Sequence, residues 1–189
     1  MSTSLALLLL ALAPGQYFAV QVEQDGRNLP IRDGRVYLAK KPFSLVLELR
    51  EPQLVLVHAS LGSKTIDAVR AGKPLDSIPG LQGTGAAEGE GNPERGLFLL
   101  PDGFNAWYYH DAAHHRFDEP CRRKASTLVC RRTIEKLWLE GGKTVPVAEV
   151  DGQALHLVFL RTKWKADYSS QDVLQLTSLS LIFEPKNKS

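Results

Sequence analysis

The sequence predicts a mainly β protein, an antiparallel β-sandwich or partly closed barrel with one short helix, and three observations point there. Apolar and polar residues alternate along much of the chain, as in Phe18, Val20 and Val22 against Gln21 and Glu23, and a period of two places successive side chains on opposite faces of a strand. Pairs such as Asp25-Gly26, Asp33-Gly34, Gly141-Gly142 and Asp151-Gly152 punctuate these runs with the residues that hairpin turns demand. Only the stretch 63–72 carries helical spacing.

The first fifteen residues stand apart. Leu5 to Ala13 is an unbroken apolar run, shorter than the roughly 18 residues a spanning helix needs. Small residues Ala11, Ala13 and Gly15 close it, so the expectation is a cleavable signal peptide over 1–15. Pro14 disfavours a cut directly after Ala13, which leaves Gly15-Gln16 as the bond to be cut. The expected destination is the periplasm or the medium, with no membrane span after cleavage.

Residues 16–189 are then expected to form a single β-rich domain. After the first strand, Val36 to Leu38 and the one-sided set Phe43, Leu45, Leu47 and Leu49 continue a meander. Leu54 to Val57 is continuously apolar, the pattern of a strand covered on both faces. Ser63 is placed to cap the helix, Ile66 and Val69 share one of its faces, and Gly72 with Pro74 ends it. Residues 79–96, rich in glycine and carrying Glu88, Glu90 and Glu94, read as a mobile loop.

Further strands are expected at Leu97–Leu100, Asn105–His110, Arg116–Asp118, Thr127–Leu139, Val145–Val150 and Leu155–Leu160. In the last run Leu174 and Leu176 fall on even positions while Leu179, Leu181 and Phe183 fall on odd ones. A bulge near Thr177-Ser178 would restore a single buried face.

Composition narrows function less than architecture. A net charge of +2 on 189 residues gives no global attraction to nucleic acid or to membranes. The only two cysteines, Cys121 and Cys130, flank a short polar segment, and in an exported protein they are expected to form a disulfide. Around them Arg122, Arg123, Lys124, Arg131 and Arg132 make a local positive field, and Trp164 stands between Lys163 and Lys165. Guanidinium groups bind carboxylates and phosphates in bidentate fashion, and an indole beside charge stacks on sugars or cations. These six residues are the candidate ligand surface, with an anionic envelope polymer or another exported protein as partner. The competing reading is that Lys and Arg merely protect a strand edge.

One other cluster has metal-binding chemistry. His110, His114, His115 and Asp118 supply imidazole and carboxylate donors that suit a divalent transition metal, although their spacing matches no recognised ligand motif. Otherwise no cofactor is expected. A nucleophile elbow, a phosphate-cradling glycine loop and a His-Glu-x-x-His helix are all missing from the sequence, so a non-enzymatic binding or inhibitory module is the leading expectation and a metal-dependent enzyme the alternative.

Overall fold

The computed structural model describes residues 12–78, 80–81, 95–99, 104–108, 121–150, 153–167 and 171–184. They form a mainly β protein: β1 (Phe18–Gln24), β2 (Arg27–Asn28), β3 (Arg35–Leu38), β4 (Phe43–Leu49), β5 (Leu54–Ser60), α1 (Lys64–Arg70), β6 (Gly96–Leu99), β7 (Asn105–Tyr108), β8 (Arg122–Lys124), β9 (Thr127–Ile134), β10 (Lys136–Leu139), β11 (Thr144–Pro146), β12 (Ala154–Trp164) and β13 (Gln171–Phe183). The Asp25-Gly26 and Asp33-Gly34 turns close as their chemistry requires. Asp25 and Gly26 have φ of 53° and 71°, and Asp33 and Gly34 have 50° and 67°. Positive φ at both central residues matches the twist of the flanking strands.

Two five-stranded sheets face each other. The first has the order β2-β1-β4-β9-β8 and the second β3-β13-β12-β5-β7. A smaller sheet, β11-β10-β6, continues the first, because only Glu135 separates β9 from β10. Pairing is antiparallel except where β3 joins β13 and β6 joins β10 in parallel.

The alternation read in the sequence sets the core. Phe18, Val20 and Val22 of β1, with Phe43, Leu45, Leu47 and Leu49 of β4, meet Leu155, Leu157 and Phe159 of β12 and Leu179, Leu181 and Phe183 of β13. Ring pairs span the two sheets, Phe18 against Phe159 at 6.5 Å and Phe43 against Phe183 at 6.4 Å. The outer face of the second sheet carries another apolar layer, in which Leu56, Val158 and Leu160 pack under Ile66 of α1 with Ile78 and Phe104. β5 is therefore covered on both faces, as its continuous apolar run requires.

Several expectations are corrected. The early strands are not a meander: β3 crosses to the second sheet, and β4 returns to pair with β1. Val145–Val150 divides into the end of β11 and a short 3-10 turn over Val147–Glu149. Ser63 occupies the cap position of α1 without a capping side-chain hydrogen bond. The irregularity in β13 lies at Leu174, since Arg161 faces Gln175 while Thr162 faces Val173, and Thr177-Ser178 runs straight. Leu176 has its own destination, the apolar layer beneath α1, so a parity change in the sequence reflects two cores rather than one displaced face. The expected Arg116–Asp118 strand and most of the glycine loop lie outside the described residues.

Candidate functional site

The hairpin of β8 and β9 is the terminal pair of the first sheet among the described residues. A two-residue turn, Ala125-Ser126, joins the strands, with Ala125 at φ 51°. Thr127 Oγ1 lies 3.1 Å from the Lys124 carbonyl and 2.8 Å from Glu48 Oε1, tying the turn to β4. At the root of the hairpin Cys121 and Cys130 are joined, their Cα atoms 4.3 Å apart, as the sequence led one to expect. This is the spacing of a non-hydrogen-bonded cross-strand pair.

Strand parity then sorts the candidate cations. Leu128, Cys130, Arg132 and Ile134 turn into the molecule, and Thr127, Val129, Arg131 and Thr133 turn out. Arg132 is only 3% exposed, which removes it from the accessible surface that sequence proximity to Arg131 had suggested. Arg122 faces Val129 and Lys124 faces Thr127, so both stand on the outward side. Arg123 shares the parity of buried Leu128 but is itself exposed at the sheet edge.

Across the outward face the register builds successive rows. Arg122, Val129, Glu48 and Ala19 form one, and Arg131, Val46 and Gln21 the next. All of these but Ala19 line a groove of about 350 Å³ whose charged members are Arg122, Arg123, Lys124, Arg131, Glu23 and Glu48. Arg131 is ion-paired with Glu23 across the floor. A second groove of about 430 Å³ lies beyond the turn, walled by Arg50, Ser126, Thr127 and Leu12, and it shares Glu48 and Lys124 with the first. Glu48 is 7% exposed.

Glu23 and Glu48 were not anticipated from sequence. Their polar parity was visible, but nothing local announces that Glu48 would lie beside a hairpin so distant in the chain. Trp164 ends β12 in the second sheet, opposite Gln171, and is not on the sheet that carries the hairpin. His110, His114, His115 and Asp118 lie outside the described residues. Among the described residues, no cluster of three or more His, Cys, Asp or Glu could hold a metal ion.

A second polar cluster sits under α1. His156 Nδ1 is 3.0 Å from Ser180 Oγ, and Arg70 Nη2 donates to the same oxygen at 3.1 Å and to the Gly34 carbonyl at 3.2 Å. Burial, and then the positive charge of Arg70, holds the His156 pKa below its ordinary value, with Asp67 opposing. Ser180 is 2% exposed, so the group latches the helix to the sheet and offers no accessible nucleophile.

The described residues thus define a β-sandwich with a disulfide-rooted cationic hairpin at one edge. No family model matches the chain, and neither a curated protein nor a solved structure matches it significantly. Among the described residues no helix is long and apolar enough to cross a membrane.

Proposed function

We propose that this chain is an exported, non-enzymatic binding module of the cell envelope or secreted space, which holds an anionic ligand through the hairpin of β8 and β9. The observation that carries the reading is the alignment of Arg122, Lys124 and Arg131 over one groove, on a protein whose net charge is only +2. A local field of this kind concentrates anions without making the whole surface sticky. The disulfide supports export, since such bonds persist in oxidising compartments. It also fixes the strand spacing on which the cations stand, and a prearranged hairpin loses less entropy on binding.

Charge reversal tests this. Arg122→Glu with Lys124→Glu is expected to abolish capture of anionic envelope polymers while the protein keeps a cooperative thermal unfolding transition. Capture by the parent chain should also weaken as salt rises, because exposed charges are screened within about 10 Å at 0.1 M salt. Capture that survives reversal removes the hairpin from the function.

A further inference from the structure

The groove described above is more selective than a cationic patch. The depression of about 350 Å³ is a trough lined wholly by residues past the expected cleavage bond after Gly15, and it adjoins the second at Glu48 and Lys124, where Leu12 of the segment expected to be removed forms part of the wall. Its volume is in the range of roughly 300–1,000 Å³ that accommodates a compact organic ligand. Adjoining surface past Lys124, at Ser126 and Thr127, lets it take a run of linked units better than a single ion.

Its charges are also mixed. Arg122 and Lys124 stand along the β8 wall, whereas Glu48 and Glu23 come from β4 and β1. A bare polyanion meets repulsion chiefly from Glu48, which accepts from Thr127 through one oxygen, because Glu23 is already ion-paired with Arg131. A ligand that alternates anionic groups with hydroxyl donors satisfies both walls. Between the walls, beside the Arg131–Glu23 ion pair, half-buried Val129 adds an aliphatic patch that suits the C–H face of a sugar ring.

We infer that the trough takes an acidic polysaccharide, with Arg122 and Lys124 meeting its carboxylates and Glu48 accepting its hydroxyls. This rests on the binding reading given above. The Thr127 hydroxyl already donates to one Glu48 oxygen, which fixes the direction of that carboxylate before ligand arrives. An acidic peptide is the weaker fit, because its carboxylates bring no neighbouring hydroxyls and, among the described residues, β8 offers three residues of edge for strand addition.

The test is equilibrium binding of the full chain to polygalacturonate, polyglutamate and polyphosphate of matched charge, with dextran as the neutral control. Polygalacturonate is expected to bind at least about tenfold tighter than polyglutamate, the scale of one charged hydrogen bond. Glu48→Gln should weaken polygalacturonate by about the same factor and leave polyphosphate unchanged or tighter. If polyglutamate equals polygalacturonate on the parent chain, or if Glu48→Gln tightens every polyanion alike, the trough reads charge alone; the glycan inference then falls while the binding function stands. If no polymer binds the parent chain, both fall. The parent-chain comparison decides the matter even where Glu48→Gln fails to fold.

Discussion

Gln175 shows what single polar residues contribute to this sandwich. Its Oε1 accepts from the backbone N–H groups of Tyr17 and Phe18 at 2.7 and 3.1 Å, and its Nε2 donates to the Phe18 carbonyl at 2.8 Å. One side chain of β13 thus holds the entry to β1 in the opposite sheet. Gln175→Leu leaves those backbone groups without their partner, and a loss of about 1–3 kcal/mol is expected in denaturant unfolding. His156 makes a different residue-scale prediction. Because burial and Arg70 lower its folded pKa, the unfolded chain takes up the proton first as pH falls. The stability it contributes is complete above its ordinary value of 6.5 and is lost as pH drops through the lower folded value. His156→Gln should therefore flatten the decline in melting temperature between about pH 7 and pH 5.

At the scale of elements, the sequence told which way side chains point far better than it told which strands pair. Alternation in β1 and β4 made the buried set legible residue by residue, because a period of two is a local property. The same alternation already separated Arg131 from Arg132, and reading the cations by their closeness along the chain concealed it. Partners were illegible because register is decided by surfaces that meet only after folding. That is why β3 was expected beside β4 yet lies beside β13, and why Glu48 entered the site unannounced. The disulfide was legible from the spacing of the two cysteines together with the expectation of export. Replacing Cys121 and Cys130 with serine opens a link of sequence separation 9, for which chain entropy gives a loss of about 2–3 kcal/mol. Because the hairpin is rooted there, that variant should also bind anionic polymer more weakly at temperatures where it remains folded.

For the molecule as a whole, the arrangement of its sheets governs when it is able to exist. β13 is inserted between β3 and β12, so the last of the described strands lies next to one of the first. Until residues near Ile182 emerge, Tyr37 and its neighbours have no ladder to join, and the inner face of the second sheet lacks Leu179, Leu181 and Phe183. Pairings of such long sequence separation form slowly, since loop closure precedes any reward. A chain ended after residue 170 should show no cooperative melting transition, where a peripheral β13 would leave one. Under the export proposed above, a sheet that closes only with β13 keeps the polypeptide unfolded while it crosses a narrow pore.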